Sequence, residues 1–197
     1  MQNFKIIHHD KKISRYPVPE LNELPEDIQA ILNGAKENFG FIPNVIKALS
    51  HRPAELRAFL AYNDALMNKE SGLTAADKEM IIVAFSAKNG CSYCVQSHGA
   101  SLRVQSGNPY IADQVAINYK EADITERERA MIDFAMKVSF DSASVNEKDF
   151  EILKGYGFRD EDIWDINGIT AFYNMSNRLM SFLAVHPDEP FYSMGRS

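Results

Sequence analysis

Apolar residues recur along this chain at helical rather than strand spacing, and proline, glycine and capping residues cut them into segments. Pro25 can open a helix through LPEDIQAILNGAKENFG, which Gly40 closes, and Pro43 can open a second over VIKALSH. After Pro53, Leu56, Phe59, Leu60, Leu66 and Met67 fall on one stripe of AELRAFLAYNDALMN, with Gly72 as a stop. Thr74 and Asp77 have capping-box spacing ahead of LTAADKEMIIVAFSAKNG, and Gly90 ends it. The run MIIVAF is apolar on every face, so this helix is expected at the centre of the fold. A further helix is predicted over CSYCVQSHGASLRVQSG, ending near Gly107, followed by a polar stretch around Asn108-Pro109.

The second half repeats the grammar. Thr125 and Glu128 form another capping box before RAMIDFAMKVSF. Ser144 with Glu147 is read as opening DFEILKGYG, and Asp160 as capping a last long helix from about Glu161 to Val185. Gly168 weakens that helix and suggests a close crossing. No alternation at strand period is sustained, so the class is all-α. Without a Gly/Ser linker, one domain is expected over residues 1–197, comprising an extended arm at 1–23, a core at about 40–105 and a second helical half at about 124–185. LTAADKEMIIVAFSAK aligns without gaps on ITERERAMIDFAMKVS, either as an internal repeat or as two similarly capped helices. In that register Ala130 stands opposite Glu79, Ser142 opposite Cys91, Val145 opposite Cys94 and Asp149 opposite His98, so only the first copy carries reactive groups.

Composition narrows the function. The 21 basic and 27 acidic residues give a net charge of −6 with no Lys/Arg run, which disfavours nucleic acid and anionic membrane as partners. No apolar run is long enough to span a bilayer, and MQNFKIIHHDKK has no signal-peptide core, so a cytoplasmic protein is expected. The two cysteines, Cys91 and Cys94, lie in one CxxC, which cannot staple distant parts of a chain and suits a reducing compartment.

On a wheel of about 100° per residue, Cys91, Cys94 and His98 fall within an arc of about 60°, and Cys94 and His98 are an i, i+4 pair. Gly90 suggests that the motif opens its helix, where unpaired N–H groups favour a thiolate. That position favours Cys91 as the acidic thiol, whereas the imidazole favours Cys94. A charge-assisted contact outweighs a partly solvated dipole worth about 1 kcal/mol or less, which selects Cys94. A redox dithiol is the leading reading. A zinc half-site would need His98 and a distant fourth ligand, and two inert packed cysteines are the other alternative. Tyr93 points away from the thiols on the wheel and reads as packing; His8, His9, His51 and His186 have no evident partner.

Glu79 lies beyond the first turn of its helix. Its wheel neighbours are Ile82, Val83 and Ser86, with no Lys or Arg three or four residues away. A carboxylate in such a setting is costly to bury, and its pKa tends to rise toward the range of a general base.

The pattern E-x11-C-x-x-C-x3-H, as Glu79, Cys91, Cys94 and His98, resembles the AhpD-like branch of the carboxymuconolactone decarboxylase superfamily. HRPAEL at 51–56 and the stretch 73–99 also resemble that branch, and the whole chain, with the NRL at Asn177–Leu179, resembles its peroxidase-related subgroup. The resemblance implies an all-α alkyl hydroperoxidase without haem, metal or other cofactor. In it Cys94 would attack the peroxide, Cys91 would close the disulfide, and Glu79 and His98 would relay protons. It also implies a small hydroperoxide substrate, an external dithiol reductant of thioredoxin-like or lipoyl type, and a homo-oligomer, trimeric or hexameric. Tyr93 stands where the best-studied members have histidine. The competing functions are a disulfide reductase or redox relay acting on a protein partner, and a non-enzymatic redox sensor. A lactone decarboxylase fits less well, because those members lack the CxxC.

Overall fold

The computed structural model describes residues 12–196, so residues 1–11, with His8 and His9 of the expected arm, lie outside it. The described residues form ten α-helices and no strand. They are α1 (Glu26–Phe39), α2 (Asn44–Leu49), α3 (Pro53–Met67), α4 (Ala75–Lys88), α5 (Ser92–Ser106), α6 (Ile111–Asn118), α7 (Glu126–Asp141), α8 (Glu147–Gly155), α9 (Asp160–Leu183) and α10 (Pro190–Ser193). The all-α reading holds.

Most boundaries follow from local chemistry. Gly40 closes α1 at φ 79°, a left-handed position that glycine takes without steric cost. In the box that opens α4, the Asp77 N–H donates to Thr74 Oγ1 and the Thr74 N–H donates to Asp77 Oδ2, both at 3.0 Å. Thr125 and Glu128 repeat the device at α7.

Other boundaries differ from the expectation. A short 3-10 turn, Leu21–Glu23, interrupts the arm. Helix α6 was not foreseen; no side chain caps it and no glycine ends it, so it carries no punctuation. A 3-10 turn occupies Ser142–Ser144, which moves the cap of α8 from Ser144 to Asn146, boxed with Asp149. Asp160 is the first residue of α9 rather than its cap; Arg159 precedes the helix, and Asp162 accepts from the Arg159 N–H at 2.9 Å. The helix stops at Leu183 because Ala184 turns left-handed, at φ 52°.

Helix α4 is the axis of the fold. Met80 to Phe85 are buried without a break, and α5, α6, α7 and α9 pack around the helix. Full burial of Ile81, Ile82 and Phe85 stabilises the fold by about 1.5–3 kcal/mol each relative to exposure. Leu56 and Leu66 carry α3 into the core. At Gly168 a Cβ would meet Leu66 Cδ2 at 3.1 Å, so α3 and α9 cross closely where the sequence suggested.

The α3–α4 connection is held by buried polar groups. Lys78 caps α3, its ammonium donating to the carbonyls of Leu66, Met67 and Lys69 at 3.3, 2.9 and 3.2 Å. Asp162 accepts from the Gly72 N–H at 2.9 Å, and a Cβ on Gly72 would collide with that carboxylate. Asp165 accepts from the Ser71 hydroxyl at 2.6 Å and pairs with Lys69.

The Arg159 guanidinium and the surrounding N–H groups hold the Asp162 carboxyl down at about 2. A depressed carboxyl contributes stability that is complete above its unfolded value and lost as pH falls through the folded one. Asp162→Asn is therefore expected to cost about 1–2 kcal/mol at neutral pH, allowing for screening around exposed Arg159, with the gap to wild type closing between about pH 4 and pH 2. Urea unfolding across that range measures it; a gap that stays constant with pH would contradict the assignment.

Candidate active site

Cys91 is the N-cap residue of α5, and its sulfur accepts from the Cys94 N–H at 3.4 Å. The motif thus opens its helix, as Gly90 suggested; Gly90 itself turns at φ 69°. The two sulfurs are joined as a disulfide across a Cα–Cα distance of 5.4 Å. Both cysteines are 1 % exposed, within an apolar cluster that includes Leu56, Ala100, Met180 and Phe191.

Helices α4 and α5 pack along each other and bring Glu79 to His98, with Glu79 Oε2 2.7 Å from the imidazole Nδ1. With the carboxylate ionised, Nδ1 carries the proton it donates, leaving Nε2 as the nitrogen free to accept or deliver one. The side chains of His98 and Glu79 are 18 % and 13 % exposed, so the pair is sheltered but reached by solvent. Local sequence offered Glu79 no cation; the structure supplies a neighbour from the adjacent helix.

Cys94, His98 and Glu79 border one cavity of about 380 Å³, whose walls include Phe59, Leu60, Tyr173 and Phe191. The lining is mostly apolar, with these few polar groups converging on it. Cys91 does not border this cavity; it borders a separate cleft.

Several residues of the site had no local signal. The Tyr173 ring meets His98 edge-on, with centroids 4.7 Å apart, and its hydroxyl donates to Asn63 Oδ1 at 2.6 Å. Burial and the nearby charge of Glu79 push the Tyr173 phenol well above its ordinary value, so it stays protonated. Tyr93 is buried, as the packing reading required, but its hydroxyl has a definite task. It accepts from the Val45 N–H at 3.2 Å and donates to Asp188 Oδ2 at 3.3 Å. Asp188 also accepts from the Asn44 N–H at 2.9 Å, and its burial raises its pKa. Tyr93, the residue just before Cys94, is thereby tied to the start of α2 and to the C-terminal segment.

A second polar cluster holds the turn before Cys91. Asn177 Oδ1 accepts from the Asn89 amide at 2.9 Å, and the Asn177 amide donates to Ser86 Oγ at 2.9 Å. The Cys91 N–H donates to the Ser86 carbonyl at 3.0 Å. Asn174 adds a further acceptor for Asn89. The His51 ring lies tilted against Tyr16, with centroids 5.4 Å apart, while His186 borders the Cys91 cleft. Among the described residues no three His, Cys, Asp or Glu side chains gather as a metal-holding group, and no helix is long and apolar enough to cross a membrane.

An all-helical fold with a CxxC at a helix start, facing a His–Glu pair, defines a class, and comparison with known proteins gives it a family. The Carboxymuconolactone decarboxylase family profile matches residues 53–109. A solved structure described as an alkylhydroperoxidase AhpD core, an uncharacterized peroxidase-related protein from Ralstonia eutropha JMP134, shares 54% identity at a TM-score of 0.94, over 95% of this chain and 98% of that one. An uncharacterized peroxidase-related protein from Silicibacter sp. TM1040 shares 37% identity at a TM-score of 0.90, over 96% of this chain and 100% of that one. The debrominase Bmp8 has the same fold at 20% identity and a TM-score of 0.73, over 92% of this chain and 95% of that one. No curated protein sequence matches. The chain belongs to the AhpD-like, peroxidase-related proteins of the carboxymuconolactone decarboxylase family.

If His98 holds the reduced Cys94 as a thiolate, His98→Asn is expected to raise the pKa of that thiol by about one unit or more. Ultraviolet thiolate absorbance against pH, measured in a Cys91→Ser background, reports it. An unchanged titration would remove His98 from the site.

Proposed function

We propose that this protein is a thiol-dependent alkyl hydroperoxidase in which Cys94 is the peroxide-attacking thiolate. The observation that carries the reading is the single cavity shared by Cys94 and the Glu79–His98 pair, with Cys91 already within disulfide reach of Cys94. The Cys94 thiolate attacks the terminal oxygen of ROOH; an S–O bond forms, the O–O bond breaks, and the departing alkoxide takes a proton to leave as ROH. His98, oriented through Nδ1 by Glu79, is the group placed to manage that proton. Cys91 then attacks the Cys94 sulfenic acid, expelling water and closing the disulfide. An external dithiol restores both thiols and is itself oxidised, so each ROOH consumes one dithiol.

Apolar walls suit an alkyl or aryl hydroperoxide better than a charged one. The recycling of a disulfide fits a reducing cytoplasm. Exposed Trp164, Met175 and Phe182 on α9 are compatible with assembly into a trimer or hexamer. Tyr93 cannot stand in for a relay histidine, because burial and the adjacent Asp188 charge keep its phenol protonated.

With cumene hydroperoxide and excess dithiothreitol, wild type is expected to turn over and Cys94→Ser to lose consumption. Cys91→Ser should accumulate a sulfenic acid that dimedone traps on Cys94, and Glu79→Gln should slow turnover about 10²-fold or more. Coupled peroxide assays with mass spectrometry decide it. Peroxide consumption by the double Cys→Ser variant would refute the scheme. Faster reduction of a protein disulfide than of any hydroperoxide would favour the redox-relay function instead.

A further inference from the structure

The two cysteines border different spaces. Cys94 borders the cavity of Glu79 and His98, while Cys91 borders a neighbouring cleft of about 260 Å³ between the start of α5 and the end of α9. Tyr93 and Met180 line both. The cleft has an exposed rim of small residues, Gly90, Ser92, Ser181 and Ala184, above buried Cys91 and Val185. Among the described residues His186 is its one titratable side chain other than the tyrosine and the disulfide.

The backbone around this cleft is constrained. Ala184 sits at φ 52°, unusual for a residue with a Cβ, and the chain turns there out of α9. His186 is pinned on both sides: its N–H donates to the Ile13 carbonyl at 3.3 Å, and its carbonyl accepts from the Asn44 amide at 3.0 Å. The left-handed Ala184 and the two bonds to the His186 backbone fix the course of the chain that borders the cleft.

We propose that this cleft is the docking site of the reducing thiol, and that His186 takes the proton of that thiol as it attacks Cys91. The inference rests on the peroxidase reading for its place in a cycle, but the step itself is thiol–disulfide exchange. Exchange is faster when the leaving sulfur is the more acidic one. Cys94, sharing its cavity with His98, is that leaving group, which makes Cys91 the sulfur to be attacked. The attacking sulfur must reach Cys91, and the cleft is the space that Cys91 lines and Cys94 does not. In the first step the donor S–H gives its proton to His186, the donor sulfur bonds to Cys91, and the Cys91–Cys94 bond breaks with Cys94 leaving as thiolate. The second thiol of the donor then gives its proton to the Cys94 thiolate and attacks the donor sulfur of the mixed disulfide, freeing Cys91, which recovers the first proton from His186. The dithiol ends as a cyclic disulfide and the protein as two thiols. Among the described residues the lining of the cleft holds no carboxylate, lysine or arginine, so the cleft suits an uncharged aliphatic thiol over a charged peptide such as glutathione.

The test uses the oxidised full-length protein and needs no peroxide. Brief exposure to 2-mercaptoethanol, acid quenching and peptide mass mapping are expected to find the mixed disulfide on Cys91. At equal thiolate concentration 2-mercaptoethanol should form it about tenfold faster than glutathione. His186→Gln and, separately, the cleft-filling Ser181→Trp should slow reduction by dithiothreitol about tenfold or more, while a single oxidative turnover of the reduced protein with cumene hydroperoxide keeps its wild-type rate. A mixed disulfide on Cys94, equal rates with the two monothiols, or both variants reduced at the wild-type rate would overturn the proposal. Failure of wild type in the oxidative turnover would instead overturn the peroxidase reading and leave the docking result standing.

Discussion

Glu79 lies on α4 beside buried Ile82, Val83 and Ser86, and a carboxylate is tolerated there because His98 meets it from α5 at 2.7 Å. The register between the two helices is therefore set by polar as well as apolar complementarity. A shift of one residue along α5 would turn the imidazole by about 100° and leave a sheltered acid without its partner, which costs more than an imperfect apolar contact. The same register fixes where Cys94 lies, one turn before His98 on the same helix. The catalytic proposal thus follows from packing α5 on α4 in a single way.

That packing alone does not place Cys91, which precedes the first turn of α5 and would fray as helix starts do. Two long-range clusters hold it. Asn177 and Asn174 on α9 grip the end of α4 through Asn89 and Ser86, and Ser86 in turn holds the Cys91 N–H. On the other side Tyr93 reaches the start of α2 and Asp188. A disulfide that opens and closes needs its two cysteines to return to the same separation. Fixing the backbone on both sides leaves side-chain rotation as the main movement.

The legible part of this protein was the part encoded at short range. Capping boxes at Thr74 and Thr125, the glycine stop at Gly40 and the apolar run of α4 all act within a few residues, and they placed most helices. Cys91, Cys94 and His98 lie on one helical arc, so their association needed only the period of the helix. Glu79 lay on the neighbouring helix and was marked by the absence of a local partner. What stayed hidden has no such mark. Tyr173–Asn63, Asn177–Asn89 and Tyr93–Asp188 join residues about a hundred positions apart, and asparagine or tyrosine on a helix face is locally ordinary. The unmarked α6 and the shifted starts of α8 and α9 have a related origin. A 3-10 turn and an arginine preceding an acidic first turn replaced the capping residues that the pattern suggested.

The likeness between α4 and α7 sharpens this division. Both open with a threonine box, and they pack on each other. Yet α4 is buried on nearly every face, whereas α7 keeps polar residues that reach back to brace its neighbours. Arg127 donates to Asp77 in the α4 cap and to the Gly72 carbonyl, and Arg129 gathers the carbonyls of Tyr119, Lys120 and Ala122. Asp149, the counterpart of His98, is occupied by Lys137. The α7 position opposite Glu79 is Ala130, which packs against the core beside Met131 and Phe134 and offers no group that could hold a proton. The central helix shelters Glu79 beside His98 of α5, and α7 braces the start of that helix through Arg127 and Asp77.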